Sequence, residues 1–226
     1  YLGRSQPPLL TAMAASYFAA TGDISWLQQH IKTLEKELLF WLNNKKVTVE
    51  IKGKKYILLR YFAENATSGP RPESYFEDYK NAQFLPKEEM RKEFYLEVKS
   101  AAESGWDFSS RWFVTAGNKT GNLTDVHATR ILPVDLNSIF AGALEIAGNF
   151  RYALKDRREA QKWWSLAKYW RNAIESIMWD PDDGVWYDYD VLAMTPRKHF
   201  YPSCVTPLWS GAVEKLDAPK YAAKLV

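Results

Sequence analysis

Tyr17-Phe18-Ala19-Ala20-Thr21-Gly22-Asp23-Ile24-Ser25-Trp26-Leu27 is the stretch that decides the fold. Gly22 suits the left-handed backbone that ends a helix, and Asp23 can accept from the free N–H groups that begin the next. Upstream, Leu10, Met13/Ala14 and Tyr17/Phe18 recur at helical spacing and predict a helix over 7–20. Downstream, Leu27, Ile31, Leu34, Leu38 and Leu42 form the stripe of a second helix. Two amphipathic helices joined by a short turn make an αα-hairpin.

Further along, Pro86, a good first-turn residue, opens a helix bearing Met90, Phe94, Val98 and Ala101/Ala102. Pro133 opens another, with Leu136, Ile139/Phe140, Ala143 and Ala147. Residues 156–178 carry Trp163, Leu166/Ala167, Trp170, Ile174 and Ile177, and Pro207 starts a last short helix. Residues 46–62 differ: Val47, Val49 and Ile51 alternate, Gly53-Lys54-Lys55 turns the chain, and Tyr56 to Tyr61 returns as a second strand. Residues 64–84 have no clear period and predict a long loop; 114–130 predict a polar one. Asp180 to Gly184 is a turn, with Val185 to Val191 extended. The sum is an all-α chain of helix pairs, a bundle or toroid, with one small β-hairpin. Its loops 64–84 and 103–130 are expected to gather at one end and build a site.

The chain has 226 residues, enough for one domain or a large part of one. A net charge of +3 with no basic run gives nucleic-acid or membrane-surface binding no support. One cysteine excludes an internal disulfide. With no thiolate cluster and His30, His127 and His199 far apart in sequence, no metal site and no cofactor is expected. Cys204 and His199 are neighbours in sequence, but nothing nearby would activate the thiol. Three sequons, at Asn65, Asn118 and Asn122, favour a secreted or cell-surface protein.

Four polar clusters remain. Arg4-Ser5-Gln6 precedes Pro7-Pro8; Arg71-Pro72-Glu73 lies in the aperiodic loop; Pro133-Val134-Asp135-Leu136-Asn137 begins a helix. The fourth is Glu103-Ser104-Gly105-Trp106-Asp107-Phe108-Ser109-Ser110-Arg111-Trp112. Asp107 stands there between two aromatic residues, where poor solvation would raise its pKa and make it a general acid. Aromatic faces beside Arg forks and carboxylates also suit a sugar, with its apolar C–H faces and hydroxyl rim. The plainer alternatives are a helix cap for Asp107, a surface salt bridge for Arg71 and Glu73, an exposed terminus for Arg4, and a favourable helix-dipole acid for Asp135.

These clusters, in this order, together with Gly184-Val185-Trp186-Tyr187-Asp188-Tyr189-Asp190 and Pro207-Leu208-Trp209, resemble the trehalases, an inverting glycoside hydrolase family that cleaves α,α-trehalose. The resemblance covers essentially the whole chain. It implies an (α/α)6 toroid, incomplete here, and residues 1–226 as part of a single catalytic domain lacking N- and C-terminal portions. It implies Asp107 as the general acid and substrate-binding roles for Arg4, Ser5, Gln6, Arg71, Pro72, Glu73 and Gly105. It implies trehalose as the small-molecule partner, no metal or organic cofactor, and a membrane anchor only through missing termini. The family's Pro-Gly-Gly-Arg-Phe and Gln-Trp-Asp signatures, and its general-base Glu, have no match here. The base is therefore expected outside this chain, and the isolated chain is expected to be inactive. The competing expectations are a non-catalytic sugar-binding protein on the same scaffold and a purely structural helical module.

Overall fold

The computed structural model describes residues 4–63, 69–114, 120–213 and 217–223. In chain order its helices are α1 (Leu10–Thr21), α2 (Ile24–Asn44), α3 (Tyr75–Ala82), α4 (Glu88–Ala102), α5 (Val134–Ala153), α6 (Arg157–Met178), α7 (Pro207–Ser210) and α8 (Ala218–Ala222). A hairpin of β1 (Lys46–Ile51) and β2 (Lys54–Leu59) follows α2. Among the described residues, no helix is long and apolar enough to cross a membrane. The chain forms two compact units, one of Tyr1–Pro7, Arg60–Leu132 and Asp190–Ala193, the other of Pro8–Leu59, Pro133–Tyr189 and Met194–Val226.

The second unit is built on α5 and its neighbours. Gly22 takes φ +64° and ends α1, and Asp23 accepts from Trp26 N at 2.9 Å, so the turn expected between the first two helices is present. Leu27, Ile31, Leu34 and Leu38 are buried as the stripe requires, with Trp41 in the place expected of Leu42. The expected face of α1 is displaced. Thr11 and Ala14 are buried, whereas Leu10, Met13 and Tyr17 lie open. Small Ala14 and the ring of Phe18 join Leu27, Ile31, Leu34 and Phe150, so the larger residues one position round the helix are left outside. Burying a large side chain is worth roughly 1.5–3 kcal/mol, which is why the α2 stripe sets the packing.

The hairpin turns on Lys52-Gly53 rather than on the three residues expected. Both have positive φ, +50° and +74°, and Ile51 pairs with Lys54. A two-residue loop with two positive φ angles matches the twist of paired strands. Asn137, fully buried on α5, fastens the hairpin. Its Oδ1 accepts from Leu59 N at 2.7 Å and Trp170 Nε1 at 3.1 Å, and its Nδ2 donates to Leu59 O at 3.0 Å and Pro133 O at 2.8 Å. Glu35 does the same between helices, paired with Arg151 and accepting from Trp163 Nε1 at 2.9 Å. Asp135 sits in the first turn of α5, where its charge suits the helix dipole. Asp188 accepts from Val134 N at 2.9 Å, and Cys204 is buried, so both serve the fold here.

In the first unit, the expected loop over 64–84 contains α3. Asp78 and Ala82, four residues apart, face inward, and Ala82 packs against Phe94, Tyr95 and Val98 of α4. The helical period was masked because its inward residues are an acid and an alanine, while Tyr75, Phe76 and Tyr79 point out. Residues 64–68 and 115–119, which include the sequon asparagines Asn65 and Asn118, lie outside the described residues. The polar stretch before Pro133 holds two short turns, Leu123–Asp125 and Ala128–Arg130. The first is closed by Asn122, which accepts from Thr124 N at 2.8 Å and donates its own N–H to Asp125 at 2.7 Å.

Candidate active site

All eight residues expected at the site lie in the first unit. Helix α4 delivers their centre. Its last turn ends at Ala102, and Glu103 follows with no solvent exposure. Glu103 Oε1 accepts from Ser5 N at 2.7 Å, and Oε2 accepts from Phe62 N at 2.9 Å. Ser104 Oγ then accepts from Trp106 N at 2.9 Å, and Gly105 between them takes φ +73°. A side chain there would meet nothing within 4 Å, so it is the left-handed backbone, not crowding, that calls for glycine.

Asp107 departs from expectation. Its side chain is exposed, and among the described residues its carboxylate has no hydrogen-bond or ion-pair partner. The rings on either side are drawn to arginines instead. Trp106 lies 5.1 Å from the guanidinium of Arg111, which is fully buried and also 4.8 Å from Trp112. Phe108 lies 4.4 Å from that of Arg71. These cation–π contacts fix the flanks of the turn and leave the acid between them in the open.

The structure brings Arg4 and Glu73 into an ion pair. Partial burial works against the charge on Glu73, but the Arg4 bond and the Arg4 and Arg71 charges hold its carboxyl below the usual range. It is an acceptor at neutral pH. Arg71 is engaged with a residue that no motif singles out. Its Nε and Nη2 donate to Asp78 at 2.8 and 2.7 Å, and its backbone N–H donates to the same carboxylate at 3.0 Å. Both side chains are buried. Only the spacing of Asp78 and Ala82 could have flagged this, and it becomes visible once residues 75–82 are known to be helical. Pro72 begins a 3-10 turn and is exposed, as is Gln6. Ser5 Oγ is buried without a hydrogen-bond partner among the described residues.

A separate group joins Glu93, Glu97 and His127, whose donor atoms lie within 4.8 Å of one another. Distance along the sequence had hidden it. Glu93 and Glu97 are four apart on α4, and the backbone N–H of His127 is held by Trp112 O at 3.0 Å. Burial pushes the Glu97 carboxyl up to about 7 and the His127 imidazole down. Glu97 is bound to Thr129 through both oxygens.

The trehalase family model matches residues 1–226. The trehalase of Bombyx mori is 48% identical over 227 residues, covering all of this chain and 39% of that protein. The trehalase of Homo sapiens is 42% identical over 211 residues, covering 93% of this chain and 36% of that protein. Among solved structures, neutral trehalase from Saccharomyces cerevisiae matches with a TM-score of 0.69 at 20% identity, covering all of this chain and 43% of that one. That likeness gives the helical fold class that the resemblance implied, the (α/α)6 toroid type with a small hairpin. The chain therefore spans well under half the length of these relatives.

Proposed function

The chain belongs to the trehalase family, and on that premise we propose that the protein carrying it hydrolyses α,α-trehalose to two glucose molecules. Asp107 is the general acid, protonating the glycosidic oxygen as the bond to the leaving glucose breaks. The observation that supports it most is an exposed carboxylate, without a described protein partner, on a turn clamped at both flanks by arginine–ring contacts. Solvent-facing Gly105 leaves space above the backbone for a sugar ring.

The remaining residues hold the substrate. Glu73, kept ionised by Arg4, accepts from sugar hydroxyls, and Arg4 and Gln6 donate to them. The unsatisfied hydroxyl of Ser5 fits the same role, since a buried polar group without a partner costs stability unless a ligand supplies one. Arg71 has Nη1 left after Asp78 takes Nε and Nη2, and Pro72 stiffens the turn that presents Glu73. The mechanism is inversion, which needs a second carboxylate to activate water. Glu73 is committed to Arg4 and Glu103 is buried beneath two backbone N–H groups, so we assign the base outside this chain. Two carboxylates and water suffice, without metal or cofactor.

We assign residues 1–226 to one catalytic domain, because the chain passes back and forth between its two units and neither is a continuous segment. A secreted or cell-surface location fits the exposed sequon at Asn122. The test is glucose release from trehalose by the full-length protein beside its Asp107→Asn variant. Loss of several orders of magnitude, with trehalose binding retained, is the expected result; equal activity would remove Asp107 from the role. Binding without hydrolysis in the parent would leave a sugar-binding protein.

A further inference from the structure

We infer that Glu103 is a positioning residue that holds the acid turn and the Arg4–Gln6 segment in register through one buried carboxylate. The inference rests on the trehalase reading above and adds to it a residue that touches no substrate. Glu103 has no solvent exposure. Its two oxygens accept separate backbone N–H groups, Ser5 at 2.7 Å and Phe62 at 2.9 Å, across 98 and 41 residues of sequence. Ser5 stands between Arg4 and Gln6, two of the residues proposed to grip the sugar. Glu103 itself lies four residues before Asp107, with only the Ser104-tied turn between them. The residue after Phe62 is tied to the same helix, Ala63 N donating to Ser100 Oγ at 3.0 Å one turn back on α4.

The chemistry requires a carboxylate. A buried backbone N–H must be paired, and two of them converging from different segments need two acceptor atoms on one rigid group. Glutamine has one acceptor, and its amide N–H would face one of the two backbone donors. Aspartate keeps both acceptors and the charge but is one methylene short, so it reaches both donors less well. A shift of the Ser5 backbone carries Arg4 and Gln6 with it, and a shift of the helix end carries Gly105 and Asp107. Both substrate grip and acid placement should therefore suffer together.

The experiment is steady-state kinetics on trehalose with the full-length protein and its Glu103→Gln and Glu103→Asp variants, with thermal unfolding measured in parallel. The expected result for Glu103→Gln is a raised KM and a lowered kcat, together on the order of 10²-fold in kcat/KM, the size of a small misplacement of reacting groups. Glu103→Asp should recover part of both. If Glu103→Gln does not fold, Glu103→Asp alone carries the test, with the same joint change at smaller size. A lowered kcat at unchanged KM would report either a smaller folded fraction or a displaced acid turn with the Arg4–Gln6 segment unmoved, and either would overturn the inference of a joint role, as would parental values of both constants. A parent that fails to hydrolyse trehalose overturns the functional reading as well, whereas an active parent matched by the variants overturns this inference alone.

Discussion

At the scale of single residues, Glu97 shows how a fold can hold an acid against its own charge. It is 4% exposed, and burial raises its pKa from 4.5 to about 7 despite the Thr129 bonds that favour the anion. Nearby Glu93 adds to the rise and Arg60 opposes it, while His127 completes the group. The sign follows from proton counting. Between pH 4.5 and 7 the folded state holds a proton that the unfolded state has lost, so stability is full below 4.5 and falls as pH rises towards 7. The total is on the order of 3 kcal/mol at about 1.4 kcal/mol per pH unit. His127, lowered by burial, pulls the other way below its ordinary value, so the measurement must isolate Glu97. Glu97→Gln mimics the protonated form and can still accept from Thr129. Its melting temperature should be close to the parent's at pH 5 and above it at pH 8; a difference that stays constant with pH would refute the account. Nothing in the sequence around Glu97 announces this, because Thr129 is 32 positions away and Arg60 farther still. The rings flanking Asp107 are a mixed case: Trp106 turns to Arg111 of the same decapeptide, whereas Phe108 turns to Arg71, which no local pattern specifies.

At the scale of elements, periodicity succeeded wherever inward residues are large and apolar. The α2 stripe from Leu27 to Leu38 and the α6 series Trp163, Ala167, Trp170, Ile174 and Ile177 are buried as their spacing requires. It failed on α3, whose inward face is Asp78 and Ala82, and on α1 it was half right: Ala14 and Phe18 of the expected face pack inward, while Leu10, Met13 and Tyr17 stay out. The joints between elements are polar and equally invisible to a hydrophobic pattern. Asn137 is the clearest, satisfying two donors and two acceptors drawn from β2, α6 and the Pro133 that precedes α5, in a site without solvent. Asn137→Ala would strand the N–H and C=O of Leu59 and the indole N–H of Trp170. Each unpaired buried group costs about 1–3 kcal/mol, so a loss of at least about 3 kcal/mol is expected. Urea unfolding of parent and variant would measure it from the shift in midpoint at constant slope; a loss under about 1 kcal/mol would mean that water enters and replaces the amide.

At the scale of the whole molecule, the helix-pair class was legible from the Thr21-Gly22-Asp23 junction and the stripes around it, but the partition into two interleaved units was not. It arises from contacts between distant segments, such as Arg130 with Asp190, joined at 3.0 and 2.6 Å across 60 residues. The same limit applies to catalysis, because a glycosidase needs two carboxylates and their separation sets the stereochemistry. Retention places them roughly 5–5.5 Å apart and inversion roughly 6.5–9.5 Å, leaving room for water. Neither Glu73, paired with Arg4, nor Glu103, sealed under Ser5 and Phe62, is free to act as a close nucleophile beside Asp107. That favours attack by water from the opposite face. Inversion at one anomeric carbon of α,α-trehalose gives β-glucose from that residue and α-glucose from the leaving one. Proton NMR of the full-length protein's first products, recorded before mutarotation, should therefore show the two anomers in equal amounts. Release of α-glucose alone would require a nucleophile close to Asp107 and would overturn both the inverting mechanism and the placement of the base.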